Sequence, residues 1–318
     1  MIKPKLLFLF FLIGNIAVAQ NKQQLTLDAA IAEAVANNRA ISIAKVEEKI
    51  AAAKLKQTEA IFLPQLSFSY TALTTNNPLN AFGFKLQQQT ISQMDFDPNL
   101  LNHPKGTPDF MTKIDVQQSL INMDLLYMRN AAKKQTEIYQ YKTKRTQEYI
   151  TFEVQKAYYQ LMMAYKALSV LEESLNTAKQ VNQFTNNYFK QGLIQKSDVL
   201  NTEVFITTIE TNIIKTKSNI ASASDFLSLL MGKSTATIYT VAEEFNQKKL
   251  IDTANTISDK RADFLAMQKA IDASDLMIKS SKMSYLPKLN AFGAYQLNDA
   301  AMFGFGANAY LAGVQLSW

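Results

Sequence analysis

The feature that most limits the fold is a stretch of about 70 residues, 122–191, without proline or glycine. Apolar side chains recur through it every three or four residues, which predicts one continuous α-helix. At 1.5 Å per residue this helix is about 105 Å long. Gly192 follows it and is expected to end it. The chain is therefore predicted to be mainly α-helical.

The same spacing predicts three more helices, over residues 26–61, 197–231 and 258–285. Pro64 and Pro287 lie just beyond the first and the last of them. A proline cannot continue a helix, so these positions fit the two predicted ends.

The long helix and the one after it each carry a coiled-coil seam. Apolar positions keep three-four spacing over about three heptads, which predicts that the two helices pack side by side. In the long helix the seam consists of Val154, Ala157, Leu161, Ala164, Leu168, Leu171, Leu175 and Ala178. In the next helix it consists of Ile206, Ile209, Ile213, Thr216, Ile220, Ala223, Leu227 and Leu230. The core of an ordinary helical bundle would show the same periodicity, so that alternative stays open.

Four stretches alternate apolar and polar residues, the pattern of half-buried β-strands. They cover residues 65–73, 113–120, 289–297 and 310–318. Strands of about ten residues with this alternation and with aromatics near their ends are what a transmembrane barrel requires. Soluble sheets with one face on a core alternate in the same way, so the pattern alone leaves both interpretations open.

Residues 76–109, between the first two strands, are punctuated by Pro, Gly, Asn and Asp and are predicted to be a surface loop. His103, the only histidine, lies in it and is expected to be solvated. Asp95, Asp97 and Asp109 are expected to face water rather than to bind a cation.

Residues 1–19 form a predicted signal peptide. Lys3 and Lys5 supply its positive start, residues 6–18 are almost wholly apolar, and residues 17–19 form an A-x-A cleavage site. The apolar run of about 13 residues is too short to cross a bilayer as a helix. The chain is therefore predicted to be exported.

Composition argues against most kinds of enzymatic site. The chain has no Cys and one His, which excludes disulfides and thiol chemistry and leaves little basis for a multi-histidine metal centre or a Ser-His-Asp triad. We therefore expect a protein that is not an enzyme, with no catalytic, cofactor or metal site. The net charge of +6 falls to about +4 without the signal peptide and is spread along the chain, which predicts no nucleic-acid partner.

The order helix, Leu-Pro-x-Leu, strand, loop, strand occurs twice. The motif stands at residues 63–66 and again at 286–289. Its proline biases the preceding residue to extended geometry and so converts helix into strand. We therefore divide the exported chain into a first structural repeat, residues 20–257, and the incomplete start of a second, residues 258–318.

Seven short stretches follow one another in an order and spacing that are specific together, although each is weak alone. They are residues 25–30, 63–66, 115–121, 188–200, 261–263, 286–289 and 313–318. Through these stretches the chain resembles TolC-type outer-membrane efflux proteins over its whole mature sequence.

The resemblance implies a periplasmic α-barrel of long helices and, in the full-length form, a homotrimer whose chains each give two β-hairpins to one 12-stranded outer-membrane β-barrel. The function it implies is a passive exit duct for drugs, metals, other small substrates or a secreted protein. The implied partners are a periplasmic adaptor (membrane fusion) protein, an inner-membrane transporter and outer-membrane lipid. The alternative is a soluble periplasmic coiled-coil or adaptor-like interaction protein.

The resemblance also implies a partner-binding tip. Gly192, Leu193, Ile194 and Ser197 match the turn at which the family's adaptor docks, and Asp198 matches an aspartate of a latch at the tunnel entrance. The alternative for the turn is an ordinary helix end without a partner. The alternative for the latch is a helix capped by Ser197, with Asp198 complementing the helix dipole.

Family members continue beyond the last strand with a second long helix, a second tip turn and a closing helix. This sequence stops at Trp318, within a strand, so the resemblance leads us to expect a C-terminally truncated form. The arginine that completes the latch would lie beyond this point.

Overall fold

The computed structural model describes residues 22–241 and 258–318, so the predicted signal peptide and the end of the predicted first repeat lie outside the described residues. The helices are α1 (Leu27–Asn37), α2 (Arg39–Ala60), α3 (Pro78–Gln87), α4 (Pro98–Asn102), α5 (Met123–Lys190), α6 (Lys196–Leu230) and α7 (Ala262–Met283). The strands are β1 (Lys22–Leu25), β2 (Gln65–Thr75), β3 (Thr107–Ile121), β4 (Ile238–Val241), β5 (Lys288–Asp299) and β6 (Ala307–Ser317).

The chain divides into two compact units. The hairpin unit consists of the described residues up to Ile43 and of residues 145–241, and the sheet unit consists of Ala44–Lys144 and Ser258–Trp318. Helix α5 is continuous over 68 residues and contributes to both. The predicted long helix and the predicted mainly α class with a small β part are confirmed.

In the hairpin unit the predicted seam is the interface between α5 and α6. Leu161 and Leu227 are wholly buried in its larger core. Nearer the turn, a second cluster joins Ala178 of α5 to Ile209 and Ile213 of α6. Burying a leucine or isoleucine side chain contributes about 1.5–3 kcal/mol, so the seam is the main source of stability for this hairpin. The predicted side-by-side packing is confirmed.

A two-stranded parallel sheet, β1 with β4, packs on the same core and was not apparent from the sequence. The hydroxyl groups of Tyr158 and Tyr165 on α5 donate to the backbone carbonyl oxygens of Leu25 at 3.1 Å and Tyr239 at 2.9 Å. Partial burial raises the pKa of the Tyr165 hydroxyl. The two short strands are thus fixed to the long helix by side-chain hydrogen bonds.

The predicted helix over residues 26–61 is wrong at one point, because Asn38 interrupts it with an extended backbone (φ −63°, ψ 130°). The side-chain nitrogen Nδ2 of Asn38 donates to the carbonyl oxygen of Leu230 at 2.8 Å. The side-chain oxygen of Asn38 accepts from the Ala40 N–H at 2.9 Å. The bond from Ala40 supplies a partner that the start of α2 would otherwise lack, and the bond to Leu230 joins the break to the end of α6. The result is two helices, α1 and α2, instead of one.

In the sheet unit, the end of α2 and the start of α5 are joined by an ion pair of Glu59 with Arg129 at 2.8 Å. Helix α5 also packs on α7, where Ile138 meets Ala266 and Ala273 in a small buried cluster. All three helices connect to the same end of the main sheet, since α2 precedes β2, β3 precedes α5 and α7 precedes β5.

The main sheet has the order β2-β3-β5-β6, and every neighbouring pair is antiparallel. Directly opposed residues share a face, so the registers define two faces. The face named here the polar face carries mainly polar residues, which are Ser67, Ser69, Thr71, Asp109, Lys113, Asp115, Gln117, Gln296 and Asn298, together with the apolar Leu73, Met111, Phe292 and Leu311. The apolar face carries Leu66, Phe68, Tyr70, Ile114, Val116, Tyr295, Leu297, Tyr310 and Val314. The four predicted strands and their alternation are confirmed.

Both Leu-Pro-x-Leu motifs convert helix into strand, as predicted. The third residues of the two motifs, Gln65 and Lys288, have different kinds of partner. Gln65 donates to the carbonyl oxygen of Ala60 at 2.7 Å and so caps the end of α2. Lys288 instead forms an ion pair of 2.6 Å with Asp124 in the first turn of α5.

The predicted surface loop over residues 76–109 is largely ordered secondary structure. It contains α3, a 3-10 turn at Gln93–Phe96 and α4, and β3 already begins at Thr107. Asp109 therefore lies in a strand with 1% exposure, and the expectation that it faces water is wrong.

Candidate functional site

The predicted tip is the turn between α5 and α6. After Lys190 the chain reaches Gly192 in the left-handed region (φ 74°). The Gly192 N–H donates to the carbonyl oxygen of Phe189 at 2.9 Å, and the Leu193 N–H donates to that of Tyr188 at 3.0 Å. This pair of bonds is the Schellman arrangement, which requires a left-handed residue at the position of Gly192. The predicted helix end at this glycine is confirmed.

Helix α6 begins at Lys196, and its N-cap is Gln195. The Asp198 carboxylate accepts from the Gln195 N–H at 3.1 Å, in the manner of a capping box. Ser197 lies within the first turn and its hydroxyl donates to the Gln195 side-chain oxygen at 3.4 Å. The alternative in which Ser197 caps the helix is therefore wrong, and Asp198 acts on the helix end through a hydrogen bond.

Just below the turn, polar side chains hold the two helices together. The Thr202 hydroxyl of α6 donates to the side-chain oxygen of Asn182 on α5 at 2.8 Å, and the Asn186 amide donates to the same oxygen at 3.0 Å. Val199 is buried beside them. These contacts fix the positions of the two helix ends that the turn connects.

The surface of the tip is apolar. Leu193 is 62% exposed, whereas Ile194 is half-buried. Ile194 instead lines a groove of about 780 Å³ together with Phe184 and Tyr188, whose rings stack with centroids 6.0 Å apart. The sequence analysis included Tyr188 only as part of the stretch 188–200 and missed Phe184, although the position of Phe184 off the seam was the available signal.

A second groove, of about 580 Å³, lies further along the same two helices. Val170 and Val181 of α5 and Phe205 of α6 line it, and all three are more than half exposed. The hairpin thus presents two apolar grooves and a protruding leucine, which is a surface suited to contact with other helices.

Within residues 22–241 and 258–318, no three His, Asp or Glu side chains lie close enough together to hold a metal ion. None of the helices that the structure describes is both long and apolar enough to cross a lipid bilayer.

Comparison with known proteins agrees with this geometry. The profile of the outer membrane efflux protein family matches residues 30–233, which include the hairpin, its tip and the first two strands of the main sheet. No curated protein matches. Crystal structures of CusC, of CmeC from Campylobacter jejuni and of VceC from Vibrio cholerae match with TM-scores of 0.77, 0.70 and 0.71.

Sequence identity to these three structures is 17%, 14% and 14%, so the likeness concerns the fold. The matches cover 95%, 92% and 92% of this chain but only 68%, 61% and 67% of the respective solved chains. The chain thus spans about two thirds of the length of these proteins.

The chain contains a paired-helix hairpin and a four-stranded sheet with one apolar face, and its fold is similar to that of these solved outer-membrane proteins. The chain belongs to the outer membrane efflux protein family. The predicted resemblance and the predicted outer-membrane location are confirmed, and the family favours a channel over the soluble adaptor-like alternative.

Proposed function

We propose that the chain is the outer-membrane channel subunit of a tripartite efflux or secretion system. In this role it is a passive exit duct for small molecules, metals or a secreted protein and carries out no chemistry of its own. An inner-membrane transporter supplies the energy through a periplasmic adaptor protein. The observation that carries this proposal is the family match over the helical hairpin together with the apolar face of the sheet.

The apolar face of the main sheet is the surface whose exposure to water is least favourable. Leu66, Phe68, Tyr310 and Leu316 are 72%, 70%, 83% and 69% exposed in the single chain. A contiguous patch of this kind marks a surface that is covered by lipid or by another protein. Contact with outer-membrane lipid removes it from water, whereas a soluble periplasmic protein would leave it exposed.

The dimensions of the strands support the same role. Eleven residues at about 3.3 Å each give about 36 Å, or about 28 Å along the membrane normal at a tilt of about 40°. This exceeds the apolar band of about 25 Å in outer-membrane barrels.

Among the described strands, β2 and β6 each have a partner on one side only. In hydrocarbon an open strand edge leaves backbone groups unsatisfied, at several kcal/mol each. We therefore propose that β6 of one copy pairs with β2 of the next. Three copies with four strands each would close a 12-stranded barrel whose polar face lines the duct. The division into repeats at residues 20–257 and 258–318 belongs to the same proposal.

The tip is proposed to dock the adaptor. Leu193 offers an exposed apolar contact, and the grooves beside Ile194 and Phe205 are of a size to take apolar side chains of a partner helix. Ser197 lies beside them on the first turn of α6. In the full-length form, Asp198 is proposed to contribute to closure of the duct entrance in addition to its capping bond.

Site-specific photocrosslinking in cells tests this docking. A photoreactive amino acid at Leu193 is expected to give a product of the mass of chain plus adaptor. The matched control is Met163 on α5, which is 69% exposed and lies about 45 Å along the helix from the tip. An adaptor product at Leu193 and none at Met163 supports the docking site. Equal products at both positions, or none at Leu193, would contradict it.

A further inference from the structure

At the end of the main sheet opposite to α2, α5 and α7, two loops connect the strands, and they fold differently. The short loop between β5 and β6 is held toward the apolar face, because the Phe303 N–H donates to the Tyr70 hydroxyl at 3.1 Å and the two rings stack. Asp299 fixes the same loop by accepting from the N–H groups of Ala301 and Gly306 at 2.8 and 2.9 Å.

The long loop between β2 and β3, residues 76–106, instead folds over the polar face. Gln88, the residue after α3, donates through Nε2 to the Asp109 carboxylate at 2.9 Å and to the carbonyl oxygen of Pro108 at 2.8 Å. Asp109 is directly opposed to Leu73, which lies two positions after Thr71 on β2 and therefore on the same face. Asp109 thus lies on the polar face. Helix α3 packs against β3 and β6.

The contact between loop and strands is dry. Asp109, Asn298 and Gln88 are 1%, 2% and 6% exposed, and Ala81 of α3 and Ala307 of β6 are each 2% exposed. The Asn298 amide donates to both Asp109 carboxylate oxygens, at 3.2 and 2.9 Å. The carboxylate thus joins the loop to two strands through neutral amide donors alone. Removing an acceptor of this kind leaves buried donors unsatisfied, which is strongly unfavourable.

The loop is also stabilised by contacts within itself. Asn77 and Asp97 cap α3 and α4 by accepting from the N–H groups of Asn80 and Asn99. Lys85 of α3 forms an ion pair with Asp95 of the 3-10 turn. Asp95 and Asp97, expected only to face water, are therefore structural residues. A cavity of about 550 Å³ remains between these helices and the strand ends, and His103 is among the residues that line it.

We propose that residues 76–106 form a lid on the duct side of the sheet and that Asp109 is the residue that positions it. This inference rests on the proposed function, because the polar face is the duct wall only in an assembled channel. There, three lids would narrow the outer mouth of the duct, so they would set the largest solute that leaves. Asp109 acts through Gln88 and Asn298 and need not touch the solute.

The test compares Asp109→Ala and Asp109→Asn with Asp115→Asn as the matched control. Asp115 lies on the same strand and the same face, is 38% exposed at its side chain and pairs with Lys113, so its variant reports the loss of one charge alone. Channels purified from the outer membrane are measured in planar bilayers for conductance and for the largest polyethylene glycol that enters. Hydrogen exchange of residues 78–87 reports whether α3 has detached.

Asp109→Ala is expected to speed exchange in α3 roughly tenfold or more, to raise the conductance and to admit larger polymers. Asp109→Asn, which keeps one acceptor, is expected to restore most of the wild-type size limit. Asp115→Asn is expected to change ion preference without changing the size limit or the exchange of α3.

If the wild-type channel conducts and Asp109→Ala leaves the polymer size limit unchanged, the lid is refuted while the channel stands. A size limit that shifts equally in Asp115→Asn would also refute it, because charge alone would then explain the effect. A wild-type protein that forms no channel would overturn the proposed function, and the lid with it.

Discussion

Replacing Gly192 separates a partner-binding tip from an ordinary helix end. Its φ of 74° is unfavourable for any residue with a Cβ, while the space where a Cβ would stand is open. Gly192→Ala and Gly192→Trp therefore meet the same backbone cost, about 1–2 kcal/mol, and in both variants the Cβ atom has no neighbour within 4 Å. The turn lies beyond the buried clusters of the α5–α6 seam, so we expect both variants to fold and assemble.

The two variants differ in what they add to the surface beside Leu193. An alanine methyl group leaves the exposed apolar contact in place, whereas an indole ring would lie where the adaptor is proposed to approach. In cells that depend on this channel, we expect Gly192→Ala to keep most of the tolerance to an exported compound. We expect Gly192→Trp to lower tolerance to that of cells without the channel.

The assay is growth at increasing concentrations of the exported compound, with assembly checked in parallel on membrane extracts. Unchanged tolerance in Gly192→Trp would refute the reasoning, because the turn would then be a helix end without a partner. An equal loss in Gly192→Ala would show that the backbone conformation matters instead of the surface.

Three further predictions concern stability, closure and pH. Leu161→Ala should destabilise the hairpin by about 2–5 kcal/mol in denaturant unfolding because Leu161 is wholly buried, with the exposed Met163→Ala near zero as control. Asp198→Ala should raise the conductance of the closed channel if the carboxylate helps to close it, and unaltered conductance would contradict that role. The pKa of Asp95 is lowered from 3.8 to about 2 by hydrogen bonds from Lys85 and Ser92, so its stabilisation of the loop is complete above about pH 3.8 and is lost as pH falls through about 2. Pepsin cleavage within residues 76–106 should begin near pH 2 in the wild type and nearer pH 4 in Lys85→Gln, and an identical onset would contradict the ion pair.

The long helix could be predicted almost to its ends because the signals for it are local. The observed Met123–Lys190 lies one residue inside the prediction at each end. The helix contains no proline or glycine, its apolar seam is regular, and Gly192 follows its end. Each of these signals affects only the few helical turns around it. The position of the turn was predictable for the same reason, whereas one of the two alternatives for Asp198 placed the cap of α6 on Ser197 instead of Gln195.

The break at Asn38 could not be predicted locally. Its extended backbone depends on the bond to Leu230, a residue 192 positions away. The strands β1 and β4 are only four residues each and pair across most of the chain, so neither carries a periodic signal of its own.

The helices of the long loop were missed for a different reason. Pro78 and Pro98 were interpreted as loop residues, yet each follows a capping residue, Asn77 or Asp97, and stands in the first helical turn. Proline is favoured at the first helical position because its missing N–H would have no partner there. The burial of Asp109 follows from this folding and was not visible in the sequence.

The central claim is that three copies of the protein in its full-length form close one channel through their strand edges. Native mass spectrometry of the protein extracted from the outer membrane in mild detergent tests it most directly. The account predicts a particle of three copies that persists in the cold in strong detergent and separates only on heating. A particle of one copy, obtained from membranes in which the protein supports efflux, would contradict the account.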